Sequence, residues 1–166
     1  MYVGLISDTH DNVNSIRRAV EVFNSRGVEL VLHAGDYVSP FTALAFKGLR
    51  AKLIGVYGNV DGDIEALKRR YEEELKAELK GYFAELSIGG VNVALIHGVH
   101  GAIVRALAKS GDYAVVVHGH THRARSEVIG SCLVVNPGEA CGYVNGVSTV
   151  AVLSLPGREV EHVKLK

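Results

Sequence analysis

Short apolar segments alternate with amphipathic segments through the first third of the chain, and this alternation restricts the fold more than any other feature. The apolar segments cover residues 2–6, 30–34 and 53–57, and each has the length of a buried strand. Residues 13–27 carry apolar side chains at helical spacing, while Pro40 and Gly48 mark the start and end of a second helix. Strands that alternate with helices predict βαβ units with parallel pairing.

The second half of the chain predicts mainly antiparallel strands. Gly89 and Gly90 separate two apolar segments and supply the positive φ values that a tight hairpin turn requires. The predicted strands cover residues 82–88, 91–96, 114–117, 125–129, 133–135, 149–154 and 159–165, with a helix over residues 102–110. We therefore predict an α/β (α+β) protein in which two sheets pack together with helices outside.

A charged segment, residues 63–79, predicts a further helix. Leu67, Tyr71, Leu75 and Leu79 recur every four residues, and charged residues fill many of the other positions. We interpret the segment as a solvated surface helix with one edge facing the core. The alternative interpretations are a dimer contact and a flap over the active site.

The composition is that of an ordinary globular domain. The chain has 166 residues with 18 Lys and Arg against 18 Asp and Glu, so we expect one domain over residues 1–166. This charge balance excludes a broad polybasic surface, although a local groove stays open and nucleic acid remains a candidate substrate. No apolar segment has the roughly 18 residues of a membrane span, and the N-terminus lacks the basic start of a signal peptide. We therefore expect a cytoplasmic protein with no membrane partner.

Polar side chains able to bind a metal follow one predicted strand after another. They are Asp8 and His10, then Asp36, then Asn59, then His97, and finally His120 and His122. In an α/β protein, the carboxyl ends of the strands meet at one crevice, where ligands bind. Each residue alone is explained as a turn or capping residue, but seven of them at successive strand ends predict one metal site.

The residue types restrict the metal. Carboxylate, imidazole and one amide oxygen, without a thiolate, favour Mn²⁺, Fe²⁺, Co²⁺, Ni²⁺ or Zn²⁺ and disfavour a structural tetrahedral zinc site. Seven ligands exceed what one catalytic ion with an open position uses. They suit two ions joined by a carboxylate, which is the arrangement used for cleaving phosphate esters.

These residues and their order resemble the calcineurin-like metallophosphoesterases. The resemblance is carried by Asp8-x-His10, Gly35-Asp36, Gly58-Asn59-x-Asp61, His97-Gly98 and Gly119-His120-x-His122, which extend over most of the chain. The small size, the Ser-Asp-Thr-His and Gly-His-Thr-His segments and Asn136-Pro137-Gly138 are similar to the compact YfcE-type phosphodiesterases.

The resemblance implies a four-layer αββα sandwich of two mixed sheets with a dinuclear site. One divalent ion would be held by Asp8, His10, Asp36 and His122, and the other by Asp36, Asn59, His97 and His120, with Asp36 bridging. It further implies a metal-dependent phosphodiesterase whose nucleophile is a metal-bridging hydroxide. We expect two Mn²⁺ ions before the other metals named above, and a small phosphodiester as substrate.

One position departs from the superfamily pattern. Where the superfamily has a histidine after the asparagine, this chain has Val60, which neither donates nor accepts a hydrogen bond. We therefore predict weak protonation of the leaving group and a preference for esters of acidic alcohols, such as aryl phosphodiesters. The catalytic candidates are Asp61, which lacks the histidine it would orient, His10, and His100 as a substitute donor. A simpler interpretation of His100 is a surface residue at the start of a helix.

Two other functions stay open. A non-catalytic, Vps29-like scaffold on the same fold would have no need of all seven ligands. A phosphomonoesterase or protein phosphatase is disfavoured by the missing histidine and by a chain too short for long substrate-shaping loops. From the amphipathic charged segment and the family resemblance, we expect a homodimer.

Overall fold

Residues 1–165 are described by the structure, which is a computed structural model, and they form 11 strands, three α-helices and a 3-10 helix. In chain order these are β1 (Tyr2–Ile6), α1 (Val13–Ser25), β2 (Leu30–His33), the 3-10 helix (Pro40–Phe46), β3 (Lys52–Gly55), α2 (Ile64–Leu75), β4 (Glu78–Leu79), β5 (Phe83–Ile88), β6 (Val91–Ile96), α3 (Gly101–Lys109), β7 (Val115–Val117), β8 (Ala124–Ile129), β9 (Cys132–Pro137), β10 (Thr149–Ser154) and β11 (Glu159–Lys164). The last residue of the expected domain, Lys166, lies outside the described residues.

The strands form two mixed sheets. The six-stranded sheet has the order β11-β10-β1-β2-β3-β4, in which β1 to β4 pair in parallel and β10 and β11 join antiparallel. The five-stranded sheet has the order β5-β6-β7-β9-β8, in which β6, β7 and β9 are parallel and both edge strands are antiparallel. The predicted parallel pairing of the first three strands and the predicted hairpin are both confirmed.

The two sheets pack face to face between layers of helix. One buried apolar cluster lies between the sheets and includes Leu32 of β2 and Leu95 of β6. Because side chains alternate along a strand, Val31 points the other way, into a second cluster with α1, the 3-10 helix and α2. Val104 and Ala108 of α3 cover the outer face of the five-stranded sheet. The αββα sandwich is confirmed.

The predicted helix over residues 63–79 is too long at its C-terminal end. α2 ends at Leu75, Lys76 takes a left-handed conformation with φ of 53°, and Leu79 lies in β4 beside β3. Each four-residue step along a helix overshoots one turn by about 40°, so Leu79 would have rotated about 120° from Leu67. A strand instead lets Leu79 enter the same core as Leu67 and Tyr71. Within the helix only Leu67 and Tyr71 are buried, as expected for a solvated surface helix.

The segment that begins at Pro40 is helical, but it is a 3-10 helix rather than an α-helix. The Ser39 side chain accepts a hydrogen bond from the N–H of Phe41 at 3.2 Å, and the element ends at Phe46. Two turns are enough to bury Phe46 while Phe41 stays exposed. Among residues 1–165, no helix has the length and apolar character needed to cross a membrane.

Candidate metal centre

The seven candidate ligands lie on the loops that follow β1, β2, β3, β6 and β7, and these loops bond directly to one another. The N–H of His10 donates to the carbonyl of Asp36 at 3.1 Å, and the N–H of His120 donates to Asp8 Oδ2 at 3.2 Å. The N–H of Gly119 donates to the carbonyl of His97 at 3.0 Å. The crevice therefore joins the carboxyl ends of strands from both sheets.

Four side chains form a first ligand group. They are Asp8, His10, Asp36 and His122, and one ligand atom of each lies within 4.8 Å of the others. His10 Nε2 lies 3.9 Å from Asp8 Oδ1, and His122 Nε2 lies 3.4 Å from the same oxygen. Ligand atoms that each sit about 2.1 Å from one ion are separated by about 3–4 Å. The spacing of this group therefore suits a single divalent ion.

A second ligand group lies beside the first. Asn59 Oδ1 lies 2.9 Å from both His97 Nε2 and His120 Nδ1. Asp36 Oδ2 lies 3.3 Å from His97 Nε2 and 3.5 Å from His10 Nε2. One carboxylate oxygen of Asp36 therefore stands between the two groups and belongs to both.

Two buried atoms of the first group lack any hydrogen-bond partner. They are Asp8 Oδ1 and His10 Nε2. A buried polar atom without a partner is costly, so it calls for an explanation in a native protein. A divalent ion between these atoms would satisfy both, and the donor set of carboxylates, imidazoles and an amide is one that such ions prefer. The residues present therefore fit a metal ion.

Burial and charge compete at the titratable groups of the crevice. Burial disfavours the charge of Asp36, but the contact with His97 holds the pKa of that carboxyl below its usual range. The carboxylate of Asp8, together with that of Asp36, raises the pKa of His10 against the effect of burial. Burial lowers the pKa of His120, and the nearby His97 adds to the lowering. Asp36 is therefore a carboxylate and His120 a neutral imidazole near neutral pH, which are the ligand forms.

Asp61 binds backbone rather than reaching into the crevice. Its Oδ2 accepts hydrogen bonds from the N–H of Asp36 at 3.1 Å and of Gly58 at 2.7 Å. Its Oδ1 accepts from the N–H of Tyr37 at 2.6 Å and of Val38 at 2.8 Å. With both oxygens engaged, Asp61 positions the loop that carries Asp36. The sequence suggested a catalytic role for Asp61, whereas its contacts are those of a positioning residue.

Glu139 is a residue of the site that the sequence analysis missed. It is fully buried, and its Oε2 accepts a hydrogen bond from His122 Nδ1 at 2.9 Å. The N–H groups of Val144 and Asn145 also donate to its carboxylate. Burial alone would raise the pKa of Glu139, but these hydrogen bonds bring it to about 2. A carboxylate on Nδ1 fixes the tautomer in which Nε2 of His122 faces the metal group.

A second histidine is oriented in the same way by backbone. His97 Nδ1 donates to the carbonyl of Ala34 at 2.7 Å, which leaves Nε2 unprotonated and facing Asp36 and Asn59, as a metal ligand requires. Asn136 supports the neighbouring loop, because its amide donates to the carbonyl of Gly119 at 2.8 Å. The loop shape is therefore set by contacts outside the two ligand groups.

Five candidate ligands have left-handed backbone conformations. They are Asp8, His10, Asp36, His120 and His122, with φ between 39° and 66°. Such a conformation costs a non-glycine residue about 1–2 kcal/mol and persists only where surrounding contacts impose it. Gly58 makes the close packing against Asp36 possible, because a Cβ at position 58 would lie 2.0 Å from Asp36 Oδ1. Strain concentrated on these residues is typical of a functional site.

Two further residues lie close to the crevice. Cys141 is buried, its thiol donates to Glu139 Oε2 at 3.3 Å, and burial raises its pKa to about 12. It is therefore a neutral thiol near the first ligand group. His100 is exposed at the start of α3 and makes no capping hydrogen bond, and it lines a groove together with Asn59 and His97.

Comparisons with known proteins agree with this geometry. A family model for the calcineurin-like phosphoesterase superfamily domain matches residues 1–158. Phosphodiesterase MJ0936 of Methanocaldococcus jannaschii is 38% identical over 166 residues, which is 100% of both chains. A solved structure described as a novel archaeal phosphodiesterase superposes with a TM-score of 0.95 at 38% identity, covering 99% of this chain and 100% of that one. The phosphoesterase YfcE of E. coli superposes with a TM-score of 0.69 at 17% identity, covering 100% of both chains, and so shares the fold.

The role of Asp61 leads to a prediction about the metal-free protein. Asp61→Asn replaces one acceptor oxygen with an NH₂ group, so N–H groups that now donate to that oxygen lose their acceptor. Each unsatisfied buried donor costs about 1–3 kcal/mol, so the free energy of unfolding should fall by at least that amount. Denaturant titration of the metal-free variant measures it.

Asp63→Asn is the matched control for this substitution. Asp63 caps α2 by accepting from the N–H of Ala66 at 2.9 Å, and asparagine caps helices as well as aspartate does. It should change stability by no more than about 0.5 kcal/mol. Equal stability of Asp61→Asn and Asp63→Asn would contradict the positioning role.

The role of Glu139 leads to a prediction about metal affinity. Glu139→Gln removes the negative charge that faces His122 Nδ1. The hydrogen bond that orients the His122 ring is thereby weakened. Loss of such an outer contact typically weakens metal binding 10-fold to 100-fold, so we expect a decrease of about that size in Mn²⁺ affinity by calorimetry. Glu127→Gln, at an exposed carboxylate paired with Arg125, should leave the affinity unchanged. An unchanged affinity in a folded Glu139→Gln protein would rule out the orienting role.

Proposed function

The chain belongs to the calcineurin-like phosphoesterase superfamily, and we propose that within it this protein is a metal-dependent phosphodiesterase with a dinuclear centre. The observation that carries the proposal is the position of Asp36 Oδ2, which lies 3.5 Å from His10 Nε2 and 3.3 Å from His97 Nε2. A carboxylate oxygen shared by two ligand groups is what a pair of bridged ions requires. The identity with a protein named as a phosphodiesterase supports the diester as substrate.

The proposed assignment of ligands to two metal ions follows the two ligand groups. Asp8, His10 and His122 would hold one ion, Asn59, His97 and His120 would hold the other, and Asp36 would contribute to both. When bound, two divalent ions supply a hydroxide nucleophile near neutral pH and stabilise the charge that develops on the phosphoryl oxygens. Nitrogen and oxygen ligands suit Mn²⁺, Fe²⁺, Co²⁺, Ni²⁺ and Zn²⁺. We propose Mn²⁺ as the first of these metals to test.

The crevice reaches solvent at Asn59 and His120. Asp8 and Asp36 are buried at its base, while Asn59 is exposed and His120 is half-buried at its rim. A phosphodiester can therefore approach from the side of Asn59 and His120. The buried carboxylates are shielded from solvent. Their charge therefore acts in surroundings of lower effective dielectric constant.

Val60 bears on which esters are cleaved fastest. Its side chain is 42% exposed beside Asn59, and its N–H donates to Asp36 Oδ1 at 3.2 Å. The backbone at this position thus supports the bridging carboxylate, but the side chain offers no proton to a departing alkoxide. We propose that the enzyme depends on leaving groups that depart without protonation, with His100, which lines the same groove as Asn59, as the candidate donor.

A series of phosphodiesters with leaving alcohols of rising pKa tests this proposal. With Mn²⁺ present, the rate should fall as the alcohol becomes less acidic, and aryl diesters should be cleaved in preference to aryl monoesters. Val60→His should flatten the dependence by supplying a donor, with gains of up to about 10²–10⁴-fold for the poorest leaving groups. Val60→Ala, which supplies none, should keep the steep dependence.

Three results would contradict parts of the proposal. A rate independent of leaving-group pKa, with chemistry limiting, would reject the argument from Val60. Faster cleavage of monoesters would indicate a phosphomonoesterase. No turnover of either class with metal ions bound would favour a non-catalytic scaffold on this fold.

A further inference from the structure

A groove of about 250 Å³ opens beside the second ligand group. Its walls are formed by Tyr57, Tyr82, Ile96, Val99 and Ile103. Two polar residues of the crevice, Asn59 and His97, also line the groove. An apolar groove that runs directly into a polar site is the arrangement by which a protein binds a molecule with one polar and one apolar part.

Three exposed apolar side chains cluster in this groove. Tyr82 is 64% exposed, Ile103 is 47% exposed and Val99 is 45% exposed, and all three face the same groove. Single exposed apolar residues need no explanation, but a cluster of them at the rim of a site indicates a ligand surface.

The Tyr82 ring is held in place by a second ring. Tyr57 is almost fully buried, and its ring contacts that of Tyr82 edge to face, with centroids 5.6 Å apart and planes at 70°. The buried ring restricts Tyr82 on one side, while the rest of that side chain stays open to the groove. A fixed aromatic surface favours a flat, rigid ring over a flexible alkyl chain, because rings stack with little loss of conformational freedom.

A second groove, lined in part by His120, is more polar and carries more positive charge. It measures about 420 Å³ and carries Arg105, Arg123 and Arg125. A charged or strongly polar part of a substrate is therefore better matched there. The two grooves give the crevice an apolar side and a cationic side.

We propose that the groove at Tyr57 and Tyr82 binds a planar aromatic ester group of the substrate, a single aryl ring or a nucleobase. This inference rests on the proposed function, since Asn59 and His97 of the second ligand group line the groove. A phosphodiester bound at the two ligand groups would place the atoms attached to one of its ester oxygens in the groove.

Calorimetry with two non-hydrolysable phosphonates tests the inference. Phenylphosphonate and methylphosphonate share the same anionic head and differ in the ring. Stacking on an aromatic side chain changes binding by about 5-fold to about 100-fold, so the Mn²⁺-loaded protein should bind phenylphosphonate tighter by a factor in that range. Tyr82→Ala should remove most of this preference and leave methylphosphonate affinity unchanged, whereas Tyr82→Phe should retain the preference.

Tyr2→Ala is the matched control. Tyr2 is a 50% exposed tyrosine at the opposite end of β1 from Asp8, so its removal should leave the preference intact. An unaltered preference in Tyr82→Ala, or no preference in the unmodified protein, would overturn the inference. If methylphosphonate still binds and aryl diesters are still cleaved, the proposed function stands without it. If neither phosphonate binds and no diester is cleaved, the proposed function fails and the inference fails with it.

Discussion

The carboxylate of Asp61 accepts hydrogen bonds from four backbone N–H groups, and the geometry of the crevice depends on this interaction. Three of the donors are consecutive, from Asp36 to Val38, so the chain must turn around one anion immediately after β2. The fourth, Gly58, ties the loop after β3 to the same carboxylate. Asp36 is thereby held in a left-handed conformation with its Oδ2 between His10 and His97.

Burial of the apolar core of the sandwich offsets the backbone strain in these loops. Strands of both sheets are buried against a shared apolar core, and the loops that follow them are fastened by backbone hydrogen bonds such as that from Gly119 to His97. Strain of about 1–2 kcal/mol at each of several ligands is tolerable only because the burial of the core is far larger. Contacts within the protein itself therefore hold the ligand positions, and such preorganisation lowers the cost of binding.

Much of this arrangement can be predicted from the sequence, because the apolar strands and the polar residues that follow them are neighbours in the chain. Apolar strands that end in Asp8, Asp36 or Asn59 predict parallel pairing and a shared crevice from residue order alone. The αββα layering, expected from the family resemblance, is confirmed. Glu139 gives no such signal: its carboxylate meets His122 only through folding, across 17 positions of chain. The roles of Asp61 and Tyr82 likewise depend on backbone directions and ring contacts, and the end of α2 is set by where Leu79 finds the core.

Anomalous diffraction from crystals soaked in Mn²⁺ shows whether Asp36 joins two ions. We expect two anomalous peaks about 3.5–4 Å apart, one on each side of Asp36 Oδ2. One peak belongs with Asp8, His10 and His122, and the other with Asn59, His97 and His120. A single peak at saturating Mn²⁺, or two peaks that do not share Asp36, would show that Asp36 does not bridge two ions.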